Sequence, residues 1–184
     1  RSREVDSIVD GSASLASHIT RCAKNGLWLV ALKFKNLQTL VTTHTSSQET
    51  SNSSNTFITI SGSEITYTPA SGSNKVVYEI SFYGEKAGIN FTSCQLQHYV
   101  SGSWTEVDAK YKKNFGNSGS TNQSYRYYIV WRFVLPAWTG SRQLRLRIGS
   151  NRNNRRINLH QLTNWDGSSV TDQFCNTNLL VYSI

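Results

Sequence analysis

Between Tyr125 and Leu135 the chain alternates without a break. Tyr125, Tyr127, Ile129, Trp131, Phe133 and Leu135 fall on one side of an extended backbone, and Arg126, Tyr128, Val130, Arg132 and Val134 fall on the other. Successive side chains of a strand point to opposite faces, so a period of two sustained over this length specifies a strand and excludes a helix. The first set is wholly apolar and needs a core beneath it. The second is half apolar, which suggests a sheet covered on one side and meeting a partner on the other.

The same reading extends to the rest of the chain from Leu27 onward. Leu27–Phe34 is apolar enough to be buried on both faces, and Leu37–His44 continues after a break at Lys35-Asn36. A polar Ser/Thr/Asn run then gives way to Phe57–Ile60, a Ser-Gly-Ser turn, Glu64–Tyr67, the breaker run Pro69–Asn74 and a longer strand over Lys75–Tyr83. A turn over Gly84–Gly88 leads to Asn90–Val100, and Ser101-Gly102-Ser103 closes a hairpin with Trp104–Val107. Asp108–Ser124 reads as a long polar loop, either a mobile tip or a binding loop. After the corner Pro136–Gly140, Gln143–Ile148 places Leu144, Leu146 and Ile148 inward and Arg145 and Arg147 outward. Arg156–Leu162, a loop over Asn164–Thr177 and a final strand over Leu179–Ile184 complete the pattern. Short strands punctuated by Gly, Pro, Ser and Asn predict an all-β, antiparallel β-sandwich over 27–184. Residues 1–26 lack strand character. They read as an N-terminal arm or linker, irregular or loosely helical through Ile8, Leu15, Ile19 and Cys22, or as a frayed terminus.

Composition narrows the function classes. The chain has 184 residues, enough for one domain with a full core, and opens on Arg1 with no methionine anywhere, as expected of a fragment with a region missing upstream. Charged residues are only 16% of the total, and the β-branched and aromatic content is that of a folded chain. Cys22, Cys94 and Cys175 lack a CxxC or a histidine at metal spacing, so no zinc site is expected, and Cys94 alternates with Leu96 as a buried small hydrophobe. His18, His44, His98 and His160 are far apart in sequence, no nucleophile or phosphate-loop motif occurs, and no pair stands out among the acidic residues. The expectation is a protein without enzymatic activity, cofactor or metal. Leu27–Leu32 is too short to span a bilayer, and no membrane insertion is expected.

The formal charge of +8 is unevenly spread. Arg142, Arg145, Arg147, Arg152, Arg155 and Arg156 lie between Ser141 and Arg156 with no acidic residue among them, and Lys110, Lys112 and Lys113 form a smaller cluster. Arg126 and Arg132 with Arg145 and Arg147 could form a basic stripe across neighbouring strands, suited to phosphate, sulfate or sugar carboxylates. The plainer reading pairs these arginines with Glu79, Glu106, Asp166 or Asp172, or leaves them solvated. The aromatics follow core positions, which does not point to nucleic acid. Near turns, Tyr99, Trp104, Tyr111, Phe115, Trp138 and Trp165 either cap the sandwich or stack on sugars. The candidate ligand-binding set is therefore Arg145, Arg147, Arg152, Arg155, Arg156, Lys112, Lys113, Tyr111, Phe115, Trp138 and Trp165.

The order of the Leu37–Thr45 strand, polar run, Phe57–Ile60, Ile65-Thr66-Tyr67-Thr68-Pro69, Ser71-Gly72-Ser73-Asn74-Lys75-Val76-Val77 and a closing apolar strand resembles the head domain of tail-fibre and other structural proteins of bacteriophages and large aquatic viruses. The resemblance covers about Leu37–Ile184. It implies a jelly-roll sandwich similar to the tumour necrosis factor and complement globular heads, assembled as a homotrimer. A trimer would cover Tyr128, Val130 and Val134. The resemblance carries over no catalytic residue. It implies a virion domain for host-surface attachment or particle assembly, whose partners are its own copies, other virion proteins and a host-surface glycan or protein. The alternatives are a secreted or cell-surface carbohydrate-binding β-sandwich and a trimeric bacterial adhesin head. The arginine-rich turn Arg152–Arg156 and the loop Asp108–Ser124 depart from the family pattern.

Overall fold

The computed structural model describes residues 34–50, 56–87, 90–108, 113–117, 124–150, 157–163 and 169–184. The expected arm over 1–26 and the apolar run up to Lys33 lie outside them. Among the described residues there are fourteen strands and no helix, and Phe34–Ile184 is one compact unit.

The spine is β5 (Lys75–Ala87), paired in unbroken antiparallel register with β9 (Ser124–Pro136). On its other flank β5 pairs first with β14 (Thr177–Ser183) and then with β11 (Ile157–Leu159). These in turn pair with β1 (Lys35–Thr42) and β2 (Gln48–Glu49), so the first sheet has four rows. The second sheet also has four. β3 (Phe57–Thr59) and β4 (Ile65–Tyr67) share one flank of β10 (Arg142–Ser150), β6 (Asn90–Val100) takes the other, and β7 (Ser103–Glu106) and β8 (Lys113–Asn117) share the far side of β6. A small hairpin joins β12 (Gln161–Thr163) to β13 (Ser169–Phe174).

The two sheets face each other across one core. Val76, Tyr78, Ile80 and Phe82 of β5, Phe133 and Leu135 of β9 and Val181 of β14 meet Cys94 and Leu96 of β6 and Leu144, Leu146 and Ile148 of β10, all fully or nearly fully buried. The Tyr78–Phe133 and Phe82–Trp131 ring pairs pack edge to face. The alternation seen in the sequence is the burial pattern: Ile129, Phe133 and Leu135 are buried while Tyr128, Val130 and Val134 are exposed. Cys94 is a core residue, as expected, and Cys175 is a free, half-buried thiol.

Four expectations fail, the first three because strand pairing overrides local turn chemistry. Gly84 does not turn. It continues β5 between Tyr127 and Leu159, and Ile129 and Leu159 pack over the space a side chain would fill. The loop Asp108–Ser124 contains β8, which pairs with β6, and the loop Asn164–Thr177 contains β13, which pairs with β12. The expected strand Arg156–Leu162 is divided at His160, whose φ of 72 breaks it into β11 and β12.

The β3–β4 turn holds the sheets together. The Tyr78 hydroxyl crosses the core to donate to the Ser63 carbonyl at 2.5 Å. The Ser63 hydroxyl donates to the Leu146 carbonyl at 3.1 Å and accepts from the Leu146 amide at 3.2 Å. Gly62, at a φ of 83, makes this possible, since a Cβ there would lie 2.7 Å from the Thr42 hydroxyl and 2.9 Å from the Thr177 Cβ. Burial pushes the Tyr78 phenol well above its ordinary pKa, so it remains a donor. Gly62→Ala should destabilise the fold by about 2–3 kcal/mol, combining left-handed backbone strain with overpacking, and Tyr78→Phe by about 1–2 kcal/mol. Urea unfolding of the two variants checks both values.

Candidate functional site

Alternation along β10 sends Arg145 and Arg147 to the outer face of the second sheet, as the sequence predicts. Each guanidinium lies against an aromatic ring. Arg145 Cζ is 4.0 Å from the Trp104 ring centre, with Nε donating to Gln97 Oε1 at 3.0 Å and the Glu64 carboxylate 3.8 Å away. Arg147 lies 5.9 Å from the Phe57 ring centre and donates to the Phe57 carbonyl. Burial, and then the neighbouring charge of Arg147, lower the Arg145 pKa. Two fixed guanidinium planes on one strand face suit an anion better than a neutral group.

The proposed basic stripe across neighbouring strands does not form. Arg126 and Arg132 belong to the first sheet and Arg145 and Arg147 to the second, so the pairs lie on opposite outer faces of the sandwich. Arg132 is paired with Glu79 at 2.5 Å and Arg126 with Glu85 at 3.8 Å. Which strands become neighbours depends on long-range pairing, to which the local alternation is blind.

The other candidates are dispersed. Trp138 packs edge to face on Tyr67, at 6.2 Å between centres, and caps the core at one end. Lys113 and Phe115 sit on β8, at register positions opposite Cys94 and Thr92. Tyr111, Lys112, Arg152, Arg155, Arg156 and Trp165 lie outside the described residues.

Two features escape a linear reading. Arg142 and His98 are set beside Trp138 at the mouth of the sandwich, with Arg142 Nη1 3.3 Å from His98 Nδ1 and the guanidinium 4.8 Å from the indole centre. The second is a stack of His44 on His160, with ring centres 3.7 Å apart and planes 8° from parallel. Among the described residues no group of three metal-ligating side chains occurs, and no helix is long and apolar enough to cross a membrane.

The imidazole stack is wired for neutrality. The Gln48 amide donates to the Thr59 carbonyl and its oxygen accepts from the Ser61 amide, so the oxygen faces His160 Nε2 at 3.3 Å and makes that nitrogen the donor. His160 Nδ1 then accepts from the Thr177 hydroxyl at 3.4 Å, and His44 Nε2, at 2.9 Å from the same oxygen, donates to it. A further proton on either ring would set a cation face to face against its neighbour, and on His160 Nδ1 it would also displace the Thr177 hydroxyl hydrogen. Burial, and then His44, lower the His160 pKa from 6.5 to about 4, and burial lowers that of His44. A folded pKa below the unfolded one means that the unfolded chain binds more protons, so this contribution to stability is intact above pH 6.5 and is lost as pH falls toward 4. Melting temperature should fall over that window, and His160→Gln should flatten the dependence while lowering stability at pH 7.

No protein-family model matches this chain, and no curated protein matches it. Among solved structures it is similar to a chain in the structure of infectious bursal disease virus, Gx strain, at 8% identity and a TM-score of 0.41, covering 80% of this chain and 35% of that one.

Proposed function

We propose that the protein is a non-enzymatic jelly-roll head that assembles as a homotrimer in a virion, by the outer face of its first sheet. Support for the jelly roll comes from strand order. Rows β1–β14–β5–β9 oppose rows β3/β4–β10–β6–β7/β8, so consecutive strands cross between the sheets as in a double Greek key.

One observation carries the assembly reading. The outer face of the first sheet mixes exposed apolar side chains with polar groups that bond to one another. In register across it lie Val130, Ser81, Asn178 and Val41, then Arg132, Glu79, Leu180 and Thr39, then Val134, Val77 and Tyr182. Val41, Tyr128, Val130 and Val134 are 59%, 59%, 56% and 45% exposed, while Val77 and Tyr182 are buried, with Phe34 packed on the Tyr182 ring. Its polar groups bond to each other: Tyr128 Oη donates to Ser81 Oγ at 3.0 Å, Asn178 Nδ2 donates to the same oxygen at 3.3 Å, and Arg132 is neutralised by Glu79. Exposed valines and a tyrosine between polar groups that already bond to one another make a face suited to a protein partner. Three copies around an axis present this face identically and close the assembly, and the number three and the virion setting come from the resemblance of Leu37–Ile184 to viral heads.

A second reading, host-surface attachment, is favoured by the Arg145 and Arg147 clamps, which face away from the proposed assembly surface and suit sulfated or carboxylated glycans. A secreted carbohydrate-binding sandwich would use the same clamps without the trimer.

Light scattering on the purified protein should give three times the 20.7 kDa of one chain, and Val130→Glu with Val134→Glu should give a folded monomer. A monomeric wild type would overturn the assembly reading. Retention on a heparin matrix should fall several-fold in Arg145→Ala with Arg147→Ala, and unchanged retention would remove the attachment surface.

A further inference from the structure

Arg142 occupies a position where alternation calls for a hydrophobe. Leu144, Leu146 and Ile148 of β10 point into the core, and Arg142 shares their side of the strand, in register with the buried Tyr67. His98 does the same on β6, sharing the side of Cys94 and Leu96 and lying in register with Leu144. An arginine and a histidine therefore line the core side of the sandwich at its mouth. They form one wall of a cleft of about 260 Å3, whose apolar surface is Val107, Leu135, Ala137 and Trp138 and whose remaining polar side chain is Asp108. Polar groups in core-facing registers are costly unless something repays them, and such breaches of pattern concentrate at functional sites.

The local partners do not repay them. Among the described residues Arg142 has no carboxylate within ion-pair distance, and its contacts are His98 Nδ1 and the Trp138 ring. The contact with His98 is donor to lone pair, which requires a neutral imidazole and places its remaining hydrogen on Nε2. Burial and the Arg142 charge lower the His98 pKa, consistent with that tautomer. The indole Nε1 of Trp138 is buried with no hydrogen-bond partner, and so is the hydroxyl of Ser73. Ser73 lines an adjoining cleft of about 350 Å3 on the Pro69–Ser73 side of Trp138. One end of the sandwich thus gathers a guanidinium without an acid, an imidazole N–H, an unpartnered indole N–H and an unpartnered hydroxyl, around a tryptophan shared by both clefts.

We propose that this mouth binds a carboxylated sugar at a glycan end, with the carboxylate on Arg142 and His98, the ring against the Trp138 wall, and hydroxyls on the Asp108 side of the cleft. The planar guanidinium matches a carboxylate in bidentate fashion. Asp108 in the same cleft opposes a doubly charged phosphate, while a single carboxylate bonded to two donors tolerates it and the sugar hydroxyls give it donors to accept from. The site is separate from the Arg145 and Arg147 clamps and needs no second copy of the chain.

The test is titration of the wild-type protein with methyl glucuronide and, separately, the methyl glycoside of N-acetylneuraminic acid, with neutral methyl glucoside as control, followed through the Trp138 indole N–H resonance, with Trp138→Phe assigning it. The expected result is saturable shifts of that resonance with at least one carboxylated sugar, no saturation with the neutral one, and at least tenfold weaker binding in Arg142→Gln. Arg126→Gln, on the first sheet at the other end of β9, should bind as the wild type does, which shows that the loss follows Arg142 and not net charge. Absence of shifts with both carboxylated sugars, equal binding of the neutral glycoside, or undiminished binding in a folded Arg142→Gln would overturn the proposal. Should Arg142→Gln fail to fold, His98→Phe replaces it under the same criteria.

Discussion

The pairing of β5 with β9 is the constraint on which everything else hangs. Their two thirteen-residue strands run in register from Lys75 opposite Pro136 to Ala87 opposite Ser124. Because β5 is also laddered to β14 and β11, its backbone is enclosed on both flanks, and its inward side chains form the floor on which the second sheet rests. The Tyr78 hydroxyl reaches from this floor to the β3–β4 turn, so strand pairing in one sheet and turn geometry in the other are one cooperative unit. Most of these contacts join residues distant in sequence, the kind of topology that folds slowly because loop entropy must be spent before the contacts form.

What the sequence made legible was whatever a single strand can report about itself. The alternation of Ile129, Phe133 and Leu135 against Val130 and Val134, the inward set of β10, and the small apolar role of Cys94 all came through, since period and burial are local consequences of one backbone. Gly84 was misread because its turn propensity was outweighed by partners far along the chain, and β8 was hidden in the polar residues Asp108–Ser124 for the same reason. The arginines show the limit most plainly: Arg132 and Arg145 look alike as outward residues, and only the sheet each belongs to separates a neutralised pair with Glu79 from a clamp on Trp104. Arg142 carried a readable signal, its parity with Leu144, which charge clustering obscured by grouping it with Arg145 and Arg147.

The sandwich assigns different chemistry to different surfaces. The outer face of the first sheet sets exposed valines among polar groups bonded to one another, that of the second carries the ring-mounted guanidiniums, and the mouth at Trp138 holds polar groups in core registers. The strand ends at Ala87, Asn90, Ser124 and Ser150 lie at the opposite end, away from that mouth. Because the two outer faces lie on opposite sides of the core cluster, substitutions on one should leave the other in place.

Among the described residues β9 pairs with β5 alone, which makes it a long boundary of the first sheet. In an antiparallel ladder the N–H and C=O of a residue point the same way, so alternate residues of β9 are bonded to β5 while those between turn theirs outward. The β9 amides turned toward β5 are thereby tied to the most enclosed strand of the fold, so they share the protection of the spine although β9 itself lies at the side of its sheet. Arg126 and Arg132 answer Glu85 and Glu79 across that same ladder, so the arginines that first suggested a ligand help fix which strand β9 lies beside and in which register.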